Sequence, residues 1–212
     1  MKRMLAALLL LAAPSLAGPP AICWPVEIGE AKSLPWGDSG FEPDASYDRA
    51  RVVKDTLALL GSDTPVLVRM ETLRRAALYV AEDRARRDAL LTALMKRVLE
   101  AEAIDQPDAL AWFDAGYAAG CFAQLGEGHD LDGYLWVKKA IELRADPAME
   151  LAGAVLTLMG DHPHHGNWKG HVERAHAGAG TLLQTNLKLF AERAAPLVKY
   201  FEERAKRQEG GK

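Results

Sequence analysis

Residues 107–147 read PDALAWFDAGYAAGCFAQLGEGHDLDGYLWVKKAIELRADP, and this stretch decides the predicted fold. It contains a helix-forming segment, a polar turn and a second helix-forming segment, with a proline at each end. The unit recurs, because Pro65 lies 42 residues before Pro107 and Pro147 lies 40 residues after it. At the offset of 42, residues 95–100 (MKRVLE) align with residues 137–142 (VKKAIE). Repeated helical pairs of this kind bury their apolar faces only by stacking on neighbouring pairs.

The middle unit resembles the tetratricopeptide-type helical repeats. Its first helix has Trp112 followed by Gly116 and Tyr117, and its second helix carries Ala140 before Pro147. The distance from Trp112 to Ala140 is about one helical turn longer than in that family. The resemblance covers about a fifth of the chain. It implies an all-α fold of stacked antiparallel hairpins, a TPR-like α-solenoid, and a tendency to bind proteins or peptides.

The first 17 residues predict a secretory signal peptide. Lys2 and Arg3 precede the short apolar run of residues 4–13, and small residues lead to an expected cleavage after Ala17. The run is shorter than the ~20 residues of a membrane span, and no later uncharged stretch reaches that length. We therefore expect an exported protein, periplasmic or extracellular, that is not inserted in a membrane. The alternative is a buried N-terminal helix.

The length and net charge of the chain indicate how many domains it has and which kinds of ligand are excluded. A chain of 212 residues predicts one domain with a sizeable core. Loss of the signal peptide would leave 24 basic and 29 acidic side chains, a net charge of about −5 with histidine neutral. Mild acidity argues against general nucleic-acid binding, which usually needs a basic face.

Residues 18–43 form a separate segment, rich in proline, glycine and aromatic residues. This composition excludes a long helix but is too apolar for a solvated linker. We expect an extended arm that docks its aromatic side chains on the helical body. Export would allow Cys23 and Cys121 to form a disulfide that fastens this arm. The alternative is two free thiols, with Cys121 buried on a helix.

Residues 44–208 predict the helical-repeat domain. The polar run of residues 82–88 interrupts an apolar stripe and predicts the turn between two antiparallel helices. A long final helix is predicted from Thr181 to Gln208, kinked at Pro196. Its apolar seam either caps the stack or pairs two chains as a dimer, and it consists of Leu183, Leu187, Phe190, Ala194, Leu197 and Phe201. Residues 209–212 are expected to be a disordered tail.

Residues 161–176, DHPHHGNWKGHVERAH, hold five of the six histidines. Two histidines that bind one metal from a helix need i,i+4 spacing, and no such pair occurs here. Only the extended segment around His162 and His164, with His171 or Asp161, remains as a candidate zinc or copper site. The repeat places residues 161–166 in the turn of a third, less regular unit, with His171 on the next helix. A polar turn with ordinary surface histidines, or a proton-sensing role, are the other interpretations.

No short catalytic motif is present. The sequence has no GxSxG, P-loop, GxGxxG followed by an acidic residue, or HExxH motif, and so predicts no cofactor. Asp130 and Asp132 suggest a calcium loop, but the closing glutamate is missing, so Asp130 is expected to cap the next helix. The leading hypothesis is a non-catalytic scaffold or adaptor, monomeric or homodimeric, whose concave face binds an unidentified protein or peptide. The alternatives are a metal-binding protein that uses the histidine cluster and an enzyme with a site between hairpins.

Overall fold

A computed structural model describes residues 18–37, 42–126 and 131–209, and all regular structure in these ranges is helical. The predicted all-α class is confirmed, whereas the predicted signal peptide lies outside the described residues. Two 3₁₀ turns, Arg49–Arg51 and His165–Asn167, precede the second and eighth helices. The α-helices are α1 Pro20–Cys23, α2 Val52–Leu59, α3 Val66–Tyr79, α4 Arg84–Ala103, α5 Ala109–Gln124, α6 Gly133–Leu143, α7 Pro147–Thr157, α8 Trp168–Ala177 and α9 Thr181–Glu209.

Aspartate side chains set the starts of α4 to α7. Each carboxylate accepts a hydrogen bond from a free backbone N–H in the first turn of its helix, which is the usual role of an N-cap. The predicted cap Asp130 lies outside the described residues, and the structure assigns the α6 cap to Asp132. The four caps are Asp83, Asp108, Asp132 and Asp146.

The turn between α3 and α4 is shorter and lies earlier in the chain than predicted. Residues 82–88 were expected to form it, but α3 ends at Tyr79 and α4 already begins at Arg84. Asp83 accepts a hydrogen bond from the Arg86 N–H at 3.0 Å, so the charged residues after it continue as helix. The turn predicted over residues 161–166 lies where the repeat places it, between α7 and α8.

Helix α5 is the centre of the fold. It packs against α1, α3, α4, α6 and α7, which explains why its sequence ALAWFDAGYAAGCFAQ is apolar on nearly every face. Helices α3, α5 and α7 also contact each other, α6 contacts α7, and α7 packs on α8. Small residues let α5 and α6 approach closely: a Cβ on Gly116 would lie only 2.7 Å from the Trp136 side chain.

The residues named for packing of the middle unit include Gly116, which lies where α5 meets α6. Tyr117 and Ala140 are fully buried. Trp112 is half-buried, and its ring lies 4.8 Å from that of Trp136. Pro147 stands at the first position of α7, where its missing N–H costs no hydrogen bond.

The arm packs on the body as predicted, with one addition and one correction. It begins with α1, and α1 contacts α3, α5 and α7. Ile22, Trp24 and Leu34 are buried in the common core. The predicted disulfide is wrong: both cysteines are free thiols, Cys23 exposed and Cys121 buried. The α1 turn directs Ala21 inward, where its carbonyl accepts a weak hydrogen bond from the Cys121 thiol at 3.7 Å.

Helix α9, the last helix, packs on the rest of the fold. Its seam packs on the same chain, against α7 and α8, with Leu183, Leu187, Phe190, Ala194 and Leu197 all buried. The helix continues through Pro196. It includes Glu209, which was expected in a disordered tail, and residues 210–212 lie outside the described residues. No described helix combines the length and the apolar character needed to cross a bilayer.

Candidate functional site

A groove between α3 and α9 holds the arm, which is helical over α1, turns at residues 29–30 and is otherwise irregular. Four side chains on one face of α3 bond to arm main-chain groups, at distances of 2.6 to 3.0 Å. Three of them donate to carbonyl oxygens and one carboxylate accepts from an N–H. The four bonds join Glu71 to the Val26 N–H, Arg74 to the Ile22 carbonyl, Arg75 to the Leu34 carbonyl and Tyr79 to the Pro35 carbonyl.

On the opposite wall of the groove, side chains also form hydrogen bonds with main-chain groups of the arm. On α9, the Asn186 side chain accepts from the Glu27 N–H and donates to the Glu27 carbonyl, both at 2.9 Å. Arg193 donates to the Pro25 carbonyl at 3.0 Å. From α5, Gln124 accepts from the Ala21 N–H at 2.7 Å. These bonds engage the backbone, so they place little demand on the arm's own side chains.

Aromatic anchors supply the side-chain part of the contact. The buried Trp24 ring meets Phe190 of α9 edge-on, with ring centroids 5.7 Å apart. Trp36 meets Tyr79 of α3 in the same manner, and the Arg74 guanidinium lies 5.0 Å from the Trp36 ring centroid. Such contacts add a modest stabilisation beyond the area that they bury.

Glu71 is the ionic centre of the groove. It is buried, and burial alone would raise the pKa of its carboxyl. Hydrogen bonds and charge from Arg74, together with bonds from the Val26 N–H and Arg75, hold that pKa below its usual value instead. The carboxylate is therefore ionised under the arm, and it links α3 to the arm backbone.

The histidine cluster forms a second polar site, in which His171 lies deepest. Its Nε2 is 3.0 Å from the Tyr134 hydroxyl and its Nδ1 is 2.5 Å from a Glu150 carboxylate oxygen. The Arg174 guanidinium also lies 2.9 Å from Nδ1, but the contact with the carboxylate is the shorter one. Since a carboxylate can only accept, that contact places the proton on Nδ1 and leaves Nε2 to accept from Tyr134. Arg174 donates to the other Glu150 oxygen at 2.8 Å, and Asn167 donates to the Tyr134 hydroxyl at 3.0 Å.

Burial sets the protonation states of this network. It lowers the pKa of His171, against the opposing influence of Glu150, so the ring is neutral near neutral pH. It also raises the pKa of Tyr134, although the Asn167 hydrogen bond lowers it. A neutral phenol and a neutral imidazole joined to a carboxylate form a satisfied hydrogen-bond chain that ties α6, α7 and α8 together.

The three candidate metal ligands are not brought to one point. Both nitrogens of His171 are engaged, whereas His162 and His164 lie near the surface beside Asp132. The shortest approaches of their Nε2 atoms to Asp132 are 4.0 Å for His162 and 3.2 Å for His164. In the described part of the chain, no three His, Cys, Asp or Glu side chains are arranged to hold a metal ion.

The residues that organise this cluster were not predicted from the sequence. Tyr134 and Glu150 belong to no motif, and Asp132 was considered only as part of a calcium loop. Tyr134 lies on α6, Glu150 on α7 and Asp132 at the cap of α6. The related signal in the sequence is the repeat, because stacking of its units would bring neighbouring helical pairs together.

A cavity of about 290 Å³ opens beside the cluster. Its walls come from α5, the start of α6, the end of α7 and the turn before α8. The lining residues are Gly120, Ala123, Gln124, Leu131, Asp132, Gly133, Tyr134, Leu156, His162 and Pro163.

Comparison with known proteins found no matching family model, no similar curated protein and no similar solved structure.

Proposed function

We propose that this protein is a non-catalytic scaffold that binds an extended segment of a protein or peptide partner in the groove between α3 and α9. The single observation that carries the proposal is the seating of the arm. A groove that holds one irregular segment through that segment's backbone is suited to hold another of similar shape. The arm then acts as a built-in occupant that a partner segment replaces.

The packing of the helices supports a stacked-repeat form of this scaffold. Helices α3, α5 and α7 contact each other in succession, and α4 and α6 each contact the odd-numbered helix that follows. We propose that the pairs stack as in tetratricopeptide-type repeats, with the first helix of each pair facing the groove. We further propose that residues 1–17 direct export, so that the partner is met outside the cytoplasm.

A peptide supplied in trans tests the groove. The probe is a fluorescent synthetic peptide of residues 18–37, and its binding is followed by anisotropy. The intact protein is expected to bind it weakly, because its own arm competes at high effective concentration. Trp24→Ala removes the buried anchor of the arm and should strengthen binding by about tenfold or more. Trp36→Ala, at a half-buried anchor, is a milder second variant.

Variants of the groove wall locate the binding. In the Trp24→Ala background, Asn186→Ala combined with Arg193→Ala should abolish binding, since these side chains hold the arm backbone. Lys188→Ala is the matched control, because Lys188 is exposed on the same helix. Circular dichroism confirms that each variant is folded. Failure of folded Trp24→Ala and Trp36→Ala variants to bind the peptide would make the arm a purely structural segment.

A further inference from the structure

The cavity beside Asp132 has features of a small-molecule site that is separate from the peptide groove. Its volume of about 290 Å³ lies just below the usual range for such sites, roughly 300–1,000 Å³. Much of the wall is apolar, from Ala123, Leu131, Leu156 and Pro163. A ligand that fills it needs a compact apolar body.

The cavity has a carboxylate in its wall. Among the described residues that line it, Asp132 is the one with a formal charge when His162 is neutral. His162 is held neutral by geometry: its Nδ1 accepts a hydrogen bond from the His164 backbone N–H at 3.1 Å, so that nitrogen carries no proton. The other polar groups of the wall, Gln124 and Tyr134, carry no charge at neutral pH.

Asp132 remains accessible although it caps α6. One oxygen, Oδ1, accepts from the Tyr134 N–H at 3.0 Å. The other, Oδ2, lies 3.2 Å from the His164 Nε2 near the surface, and 29% of the Asp132 side chain is exposed. The carboxylate is therefore rigidly placed at the cavity wall and can still be approached by a ligand.

We propose that this cavity binds a small organic cation, with an ammonium group beside Asp132 and an apolar body among Ala123, Leu131 and Leu156. A fixed carboxylate in a half-buried site attracts a cation more strongly than an exposed one does. The aromatic ring of Tyr134, which also lines the cavity, adds attraction for a cation. A ligand of the opposite charge would meet repulsion from the same carboxylate.

Three probes of one shape test the charge preference. These are 2-phenylethylammonium, the neutral 2-phenylethanol and the anionic 3-phenylpropanoate, titrated into the full chain by calorimetry with EDTA present to remove divalent ions. The ammonium compound is expected to bind about tenfold more tightly than the alcohol, and the carboxylate to show no binding. Equal affinity for the ammonium compound and the alcohol would overturn the proposal.

Two variants assign the preference to this cavity. Asp132→Asn keeps an N-cap of equal quality and removes the charge, so the ammonium compound should fall to the affinity of the alcohol. The control is Asp146→Asn, the same change at the α7 cap, which should leave the preference intact. Ala123→Phe places a ring in the cavity and should abolish binding of all three probes; Ala123 is exposed, so the fold tolerates the change. Binding that survives Ala123→Phe, or a preference that survives Asp132→Asn, would show that the cation binds elsewhere.

Discussion

Two buried carboxylates, Glu71 in the arm groove and Asp114 on α5, have the same kind of partners, but their pKa values are shifted in opposite directions. Each is almost fully excluded from solvent, and each lies between two arginines. The pKa of Glu71 is held below its usual value, whereas burial raises the pKa of Asp114 to about 6 despite the opposing influence of Arg69 and Arg97. Burial and partner charge alone therefore do not decide which form is favoured.

The difference lies in the number of hydrogen bonds. Both oxygens of Glu71 are bonded, one to Arg74 and Arg75 and the other to Arg74 and the Val26 N–H. Asp114 uses only Oδ2, which accepts from Arg69 and Arg97, and its Oδ1 has no partner among the described residues. A buried oxygen without a hydrogen bond bears the full cost of losing water.

The two networks also hold different parts of the chain. Glu71 and its arginines bond to the arm, so they connect the groove to its occupant. Arg69 donates to the Gly61 and Thr64 carbonyls and Arg97 to the Leu60 carbonyl, so Asp114 supports the turn between α2 and α3. The fully bonded network therefore belongs to the arm groove, and the under-bonded one supports the framework of the helices.

The largest expected effect comes from Glu71→Gln. The change leaves Arg74 buried without its counter-charge, and breaking a buried pair in this way costs roughly 3–5 kcal/mol. The free energy of unfolding, measured with urea and circular dichroism, should fall by that amount. Glu100→Gln is the control, since Glu100 is exposed on α4 and should change stability by less than about 0.5 kcal/mol. A loss below about 1 kcal/mol for Glu71→Gln would remove the contrast with Asp114.

The two carboxylates should make the free energy of unfolding change with pH in opposite directions. The pKa of Asp114 rises from 3.8 to about 6 on folding, so between these values the native state binds more protons than the unfolded state. Its contribution to the free energy of unfolding therefore decreases as pH rises through this window, by about 1–3 kcal/mol. The pKa of Glu71 shifts the other way, so its contribution is present above its usual pKa and is lost on acidification.

Asp114→Asn tests this sign directly. Unfolding free energies of the variant and the wild type are compared from pH 4 to pH 7. The free energy of unfolding of the wild type, minus that of the variant, should decrease as pH rises. A difference that grows in favour of the wild type instead would mean that the Asp114 carboxylate is stabilised by its arginines as Glu71 is.

The order of the helices was predictable because its signals are local. Pro147 and the residues around it mark the start of α7, and the seam of α9 follows a regular helical spacing. The error at residues 82–88 has a physical cause. A run of charges is compatible with either a turn or an exposed helix, and the Asp83 cap decided for a helix from Arg84.

The sites were harder to predict because they depend on contacts between distant residues. Asp132 meets His164 across 32 positions of sequence, and Asn186 meets Glu27 across 159. Neither pair has a characteristic spacing. The predicted disulfide failed for a similar reason: the composition of the arm indicated docking, but not that the turn of α1 exposes Cys23 while Cys121 contacts the Ala21 carbonyl.

A third buried carboxylate, Glu150, has one arginine, Arg174, and one neutral partner, and the change at its neutral side has the smallest expected effect. It is bonded to His171, whose ring depends on the Tyr134 hydroxyl for its second hydrogen bond. Tyr134→Phe leaves Nε2 of His171 without that donor and should lower the free energy of unfolding by about 1 kcal/mol. Tyr200→Phe, on an exposed ring of α9, is the control. A loss as large as that of Glu71→Gln would show that the neutral hydrogen bond from Tyr134 to His171 stabilises this fold as strongly as a buried ion pair.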